Sequence, residues 1–325
     1  MIGNYLDSFI GLPVSHFSGA DSVADVTDLP SADSVAWRID SGWNDGNPFT
    51  EVWTEFLDIV AADRVRAVIV GSWWGSEDYS TVRPVLDALI ASADRLPALR
   101  ALFLADVMSE ECELSWLPMD DVTPVLEAYP LLEEFTVRGC GMGDLAFRPV
   151  RHERLRSLRF ESGGLPGEIV RAVGASELPR LEHLALWLGV EQYGGDATVA
   201  DLAPILTSGR FPALRHLGLQ DSEIQDEIAA AVASAPVVAQ LTSLDLSMGT
   251  LGDEGAAALL DGQPLTHLDR LDLHHHYLSD AMTRRVCDAL APSGVEVDVS
   301  EQEETEIWDD LSDGEEEFRF VAVSE

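Results

Sequence analysis

An α/β solenoid, with short parallel strands joined by helical or irregular returns, is what this sequence predicts. Three observations lead there. The pattern Leu-x-x-Leu-x-Leu recurs along the chain, the segments between copies carry helix-starting signals, and both ends depart from the repeat.

Seven copies begin at Leu99 (with Leu102 and Leu104), Leu132 (Phe135, Val137), Leu155 (Leu158, Phe160), Leu181 (Leu184, Leu186), Leu214 (Leu217, Leu219), Leu241 (Leu244, Leu246) and Leu268 (Leu271, Leu273). A more β-branched copy precedes them at Val65, Val68 and Val70. Successive starts lie 34, 33, 23, 26, 33, 27 and 27 residues apart, the spacing of a leucine-rich repeat with a helix or irregular return. The last two apolar positions of each copy are two apart, so they share one side of a strand and point inward. The residues between and just after them face the other way.

Helix signals fill the gaps between strands. Asn47-Pro48 precedes Val52, Phe56, Ile59 and Val60 at helical spacing, and Thr123-Pro124 opens a second helix. Thr198 to Asp201 fits a capping box before Leu202 and Leu206, and Asp253 precedes an Ala/Leu run ending at Leu260. Each strand-helix unit keeps an apolar flank that only a neighbour can cover. The units should therefore stack into a curved leucine-rich-repeat solenoid, with the parallel sheet on the concave face and helices on the convex face.

The expected organisation is an N-terminal cap over residues 1–60, the solenoid over 61–300 and an acidic C-terminal tail with a terminal strand over 301–325. A strand is expected within the cap at 35–39, and a last alternating strand at 295–299. Residues 301–317 hold ten acidic residues and no basic one, which reads as a mobile, solvated segment. The apolar run at 318–323 is expected to fold back as an edge strand on a cap, or to serve self-association.

The formal charge is −38, and all 20 basic residues are arginine. An absence of lysine beside abundant Ala and Arg reports a GC-rich coding bias. The charge repels nucleic-acid phosphate and anionic lipid, so neither is an expected partner. A basic protein, a cation or a high-salt cytoplasm each fit it. Cys112, Cys140 and Cys287 lack the count and spacing of a disulfide framework and read as free thiols. Residues 1–14 have no arginine and no long apolar run, and no stretch reaches the roughly 20 apolar residues of a membrane span. A soluble, cytoplasmic monomer is expected.

The stretch Leu241-Thr-Ser-Leu-Asp-Leu-Ser-Met-Gly-Thr-Leu-Gly-Asp-Glu-Gly-Ala-Ala-Ala-Leu-Leu260 resembles a ribonuclease-inhibitor-type leucine-rich repeat. In that family an Asn or Cys after the strand caps the turn and a Leu follows. Cys140, Ser222, Gly249 and His276 stand at the Asn/Cys position, and Leu165, Ile224, Leu251 and Leu278 at the position of the Leu, so the polar ladder is only partly kept. Through Phe9-Ile-Gly-Leu-Pro-Val14, Ser109-Glu-Glu-Cys-Glu-Leu-Ser-Trp116 and Leu271-Asp-Leu-His-His-His-Tyr-Leu278, the chain also resembles a family of bacterial leucine-rich-repeat proteins for which no activity is established. That resemblance implies a cytoplasmic protein encoded near radical-SAM-type and hydrolase-like enzymes, with an accessory role toward them.

A repeat fold is a display platform, so function must come from the outward positions. One column reads Ile69, Phe103, Thr136, Arg159, Ala185, Gly218, Asp245 and Asp272; the next reads Gly71, Ala105, Arg138, Glu161, Trp187, Gln220, Ser247 and His274. Ile69, Phe103, Arg138, Arg159, Glu161, Trp187, Gln220, Asp245, Asp272 and His274 are the expected partner-binding residues. Arg138 and Trp187 are the expected anchors, because arginine and aromatic side chains dominate interface energetics. The alternative is that Ile69, Phe103 and Trp187 pack beneath the N-terminal cap or a loop. Trp73-Trp74 is expected to leave one ring exposed as a lip, or to pack both rings on the 109–117 loop. The segment 189–196 reads either as a rim of the face or as a connector.

His274-His275-His276 near Asp221, Asp245 and Asp272 suggests metal ligation, but strand alternation sends neighbouring side chains apart and His276 sits at the turn-capping position. No phosphate-cradling loop, HExxH, paired CxxC or nucleophile elbow is present. Cys140 near His152 is the nearest approach to a nucleophile, in a register that makes it a turn cap. The expectation is thus a non-enzymatic protein-protein interaction scaffold without cofactor. The alternative is a metal- or small-ligand-binding accessory module at the His/Asp-rich C-terminal end of the concave face.

Overall fold

Alternation at the inner positions of each copy is realised as a ladder of short strands with sealed inward side chains. A computed structural model describes residues 2–19, 29–41, 47–74, 80–140, 144–207, 209–310 and 314–324. The chain divides into two compact units, Met1–Glu161 with Ser176–Leu181, and Ser162–Ala175 with Glu182–Ser324. Both are α/β, with helices alternating with parallel strands.

In the first unit β1 (Ser8–Phe9) turns back antiparallel on β2 (Leu12–Phe17). A parallel ladder then runs from β2 through β3 (Ala36–Ile39), β4 (Ala67–Val70), β5 (Ala101–Leu104), β6 (Glu134–Arg138) and β7 (Ser157–Glu161). Helices α1 (Phe49–Ile59), α2 (Arg83–Ala91) and α3 (Thr123–Ala128) pack on one another in order. The ladder starts within the segment read from sequence as a cap, and the leucine motif is absent there because aromatic rings replace it. Phe17, Trp37 and Trp53 each pack on Phe56 with ring centres 5.5–5.6 Å apart.

The second unit contains α4 (Gly167–Ala175), β8 (His183–Gly189), α5 (Val199–Leu206), β9 (His216–Ser222), α6 (Gln225–Val232), β10 (Ser243–Asp245), α7 (Asp253–Asp261), β11 (Arg270–Asp272), α8 (Asp280–Leu290) and β12 (Glu296–Asp298). Strands β8 to β12 pair in parallel, in order and in register: Leu217 lies beside Leu184, Leu244 beside Leu217 and Leu271 beside Leu244. All three apolar residues of every copy are at most 3% exposed. The predicted capping box forms at α5, where Asp201 accepts the Thr198 N–H at 2.9 Å. At α8 the Ser279 hydroxyl, which the sequence reading did not single out, accepts the Met282 N–H at 3.2 Å.

The strand exits are built alike. Two residues after the last inward side chain, Gly139, Asp221, Met248, His275 and Glu301 all have positive φ, between 52° and 105°. A left-handed residue costs a side chain roughly 1–2 kcal/mol, and it turns the next residue inward as a cap. That next residue is Cys140, Ser222, His276 or Gln302, while Gly249 holds the same position without a side chain. His276 shows the device fully: its Nδ1 accepts the Leu278 N–H at 3.1 Å and its Nε2 donates to Val299 O at 3.0 Å.

Two expectations for the tail are corrected. Residues 301–317 are not structureless, since β13 (Glu306–Asp310) and β14 (Gly314–Phe318) form an antiparallel hairpin. Residues 319–324 do not extend the sheet as an edge strand but cross the strand exits of β9, β10 and β11. The Val323 N–H donates to Asp221 Oδ1 (3.0 Å), the Ala322 N–H donates to Met248 O (2.8 Å), and His275 Nε2 donates to Phe320 O (3.0 Å). The left-handed turns leave these groups facing outward, so the run satisfies them instead of pairing with β12. Replacing fully buried Leu244 by Ala is expected to cost about 2–5 kcal/mol in urea unfolding, whereas Leu131→Ala, at a site 43% exposed, changes stability by about 0.5 kcal/mol or less.

Candidate protein-binding face

Side chains on the strand face turned away from the helices come from alternate strand positions. In the first unit the register places Arg38, Ile69, Phe103, Thr136 and Arg159 in one row, with Arg138 beside Glu161 in the next. In this row only Arg159 is partly exposed, and of the two readings given for Ile69 and Phe103, display or packing beneath the N-terminal segment, the second describes them. The segment before β2 folds back over it, and Phe9 caps a cluster with Ala36, Ala67, Ile69, Ala101 and Phe103, flanked by Leu6, Ile10, Leu12 and Val14. The Ile2 N–H donates to Ser109 Oγ at 3.0 Å, and the Tyr5 ring lies 4.0 Å from the Arg38 guanidinium. Ile69 and Phe103 therefore offer no area to a partner in this conformation.

Beneath the same segment runs a chain of alternating charges. Arg38 bonds Asp40 and lies 3.3 Å from Asp106; Asp106 lies 3.4 Å from Arg138; Arg138 reaches Glu161 at 2.7 Å; and Glu161 lies 3.3 Å from Arg159. Arg38, Asp106, Arg138 and Glu161 are buried, whereas Arg159 is partly exposed. Signs alternate along the chain, so each buried charge has an opposite neighbour, as low-dielectric burial requires. Gly71 makes room for it, since a Cβ there would collide with the Arg38 guanidinium. The expected anchor Arg138 is thus a buried structural cation in this conformation, and its partner Glu161 is equally enclosed.

In the second unit the strand face carries three rows. The first is His183, His216, Ser243, Arg270 and Glu296; the second is Ala185, Gly218, Asp245, Asp272 and Asp298. The third continues from Trp187 and Gln220 to Ser247, His274 and Ser300. The His183 and His216 rings stack at 3.9 Å. Trp187 and Gln220 are buried, the latter donating to Ser247 Oγ at 3.2 Å. Asp245 and His274 remain partly exposed, and Asp272 is 7% exposed.

One local device recurs in the second row. Asp245, Asp272 and Asp298 each use Oδ1 to accept the N–H two residues on, at 3.1 Å in all three cases, and a polar side chain there as well. That leaves the other oxygens for longer-range pairing. Arg270 Nη2 takes Asp272 Oδ2 at 2.8 Å and Asp298 Oδ2 at 3.2 Å, while its Nη1 takes Glu296 at 2.8 Å. Burial, and the neighbouring Asp272 charge, raise the Asp245 carboxyl above the usual range. Asp272 is held down to about 2: burial opposes ionisation, but hydrogen bonds from His274 and Arg270 outweigh it. His274 is raised in turn, chiefly by its 2.8 Å bond to Asp272.

The three consecutive histidines diverge. His274 meets Asp272, His275 meets Phe320 O, and fully buried His276 caps its turn as a neutral ring, its proton affinity lowered by burial. Among the described residues no group of three or more His, Cys, Asp or Glu is placed to hold a metal ion. His152 uses both ring nitrogens on backbone, at Tyr129 O and the Leu155 N–H, and buried Cys140 faces Ser115 O at 3.8 Å. They are two separate structural contacts. Trp73 and Trp74 are both buried, with their rings perpendicular at 4.8 Å, so of the two readings neither ring forms an exposed lip; residues 75–79 after them lie outside the described residues. The stretch 189–196 packs back on the chain, with the Val190 N–H donating to Gly163 O at 2.8 Å.

Sequence reasoning missed Arg38, Asp106, Arg270, Glu296 and Asp298. Arg38 and Asp298 were within reach, because Trp37 and Ile39, like Val297 and Val299, alternate around them. Asp106 lies past the strand, where alternation ends.

Arg138→Ala would leave Asp106 and Glu161 without their shared cation, and a loss of about 3–5 kcal/mol is expected in denaturant titration. For His274, NMR titration should give a pKa above the ordinary 6.5 that falls in Asp272→Asn. The Asp272–His274 pair adds stability most fully between the ordinary values of 3.8 and 6.5. That contribution fades as pH rises through the raised histidine value, or falls toward about 2.

With this geometry in place, the comparisons can be stated. Residues 240–260 match the Leucine Rich repeat family, and these residues include β10 and most of α7. A crystal structure of a Bacteroides fragilis protein is similar over 78% of this chain and 70% of its own, at 32% identity and a TM-score of 0.72. No curated protein matches. Shared identity over most of both chains, together with the matched repeat and the strand-helix ladder itself, shows that this chain belongs to the leucine-rich-repeat proteins.

Proposed function

We propose that the chain is a non-enzymatic scaffold that binds a basic protein segment on the strand face of its second unit. Leucine-rich repeats generally serve protein-protein interaction, and their strand face is the usual display surface. The observation that carries the reading is a charge imbalance. Asp272, Asp298 and Glu296 share the guanidinium of Arg270, whereas Asp245 bonds Ser247 through Oδ1 and forms no ion pair with an arginine among the described residues. A partner's arginine or lysine laid beside Asp245 would relieve the repulsion from Asp272. Trp187 and Gln220 border that position, and His274 would sense the added charge.

In the first unit Arg159 is the partly exposed residue of the outward row, with Ile69, Phe103, Arg138 and Glu161 reachable only if the N-terminal segment lifts. The partner is thus expected to engage residues 183–300 first. We also read the protein as a cytoplasmic monomer of bacterial type: its three cysteines form no disulfide with one another, which suits a reducing compartment. No helix among the described residues is long and apolar enough to cross a membrane.

Affinity capture from native lysate should compare the wild type with an Asp245→Asn, Glu296→Gln variant, which removes two charges without changing side-chain volume. The variant is expected to lose basic partners by at least about tenfold, an effect of about 1.4 kcal/mol. Equal recovery by both proteins would rule out this face.

A further inference from the structure

The segment from Ser109 to Trp116 is anchored in the core by Leu114 and Ser115, and its outer side forms a shaped surface apart from the strand face. It lines a groove of about 530 Å³ with Ser109, Glu110, Glu111, Cys112, Glu113 and Trp116, a size suited to a bound group. Trp116 is 51% exposed, although Leu114, Ser115 and Leu117 around it are buried. The loop therefore holds the indole outward from an anchored backbone. The Trp116 N–H donates to Glu113 O at 3.0 Å, and the Ser109 N–H donates to Ile2 O at 2.9 Å. Glu111 is preset as well, accepting the Met108 N–H at 3.1 Å and bonding the Tyr5 phenol.

No arginine is among the described residues lining this groove, and three carboxylates are. Burial, with Glu113 and Glu111 nearby, raises the Cys112 thiol to about 11, so it adds apolar lining and not a nucleophile. We infer that this groove is a second docking site, which takes an arginine side chain from a basic segment of a protein partner. A guanidinium meets both halves of the surface at once: its flat face stacks on an indole, and its edge donates paired hydrogen bonds to a carboxylate. A lysine ammonium is a point charge that matches the carboxylates alone. The net charge of −38 draws such a segment in from a distance. The site lies in the first unit and does not rest on the reading of residues 183–300.

The test is isothermal titration at physiological salt with an end-capped peptide of alternating Arg and Gly, beside its Lys counterpart. Trp116→Ala leaves the protein's charge unchanged and alters an exposed side chain, so folding is preserved. It should weaken the Arg peptide about tenfold and the Lys peptide far less. Glu110→Gln with Glu113→Gln should weaken both peptides. The same charge change made elsewhere, as Glu254→Gln with Asp288→Asn, should leave binding as it was. In a protein that already carries Asp245→Asn and Glu296→Gln, Trp116→Ala should still weaken the Arg peptide about tenfold, which separates this site from the strand face. Equal binding by the wild type and Trp116→Ala, equal preference for Arg and Lys, or equal loss in the Glu254/Asp288 control would each overturn the proposal.

Discussion

A strand of three to seven residues followed by one short helix cannot enclose its own apolar side. Every other feature follows from that constraint. Leu244 is sealed only because Leu217 and Leu271 stand beside it in register, so the unit of stability is the contact between repeats rather than the repeat. Parallel register also multiplies whatever lies on the opposite side of each strand. A residue type placed once becomes a ladder when placed at the same position in successive repeats, which is how Asp245, Asp272 and Asp298 come to lie side by side.

The same repetition makes backbone strain tolerable at the strand exits. Met248, His275 and Glu301 hold left-handed conformations that suit glycine better. Each is held by what the turn gains: an inward cap after it, and outward groups that the C-terminal run can bond. An acidic segment of the composition seen at 301–317 would ordinarily stay solvated. Here the acidic residues form a hairpin, and the residues after it bond the groups at the exits.

Charge is handled differently in the two units, and burial is the reason. Where the N-terminal segment covers the first unit's face, ions alternate in sign and form a closed chain from Asp40 to Arg159. Where the second unit's face stays wetter, carboxylates outnumber the one arginine, and water screens the excess. A covered face has to settle its charges internally. An open one can keep a surplus for a visitor, and the exposed indole and glutamates of the 109–116 loop fit the same logic.

The periodic part of the protein was legible from residues alone. Leucine spacing set the strands, their inward side and their register, and Thr123-Pro124, Thr198-Asp201 and Asp253 marked helix starts, because these depend on neighbours a few residues away. The first repeats were harder to see, since Phe17, Trp37 and Phe56 fill the core where leucines do elsewhere. What the sequence could not determine was which outward residues remain outward. Ile69, Phe103 and Arg138 have the correct alternation for display, and Trp187 too, yet all four are enclosed. In the first unit that enclosure comes from Tyr5, Leu6 and Phe9, which lie about 60 to 130 residues away in the chain. Local spacing carries no record of so distant a cover. Only the folded chain, by bringing its N-terminal segment back across its own sheet, decided which part of the ladder faces water.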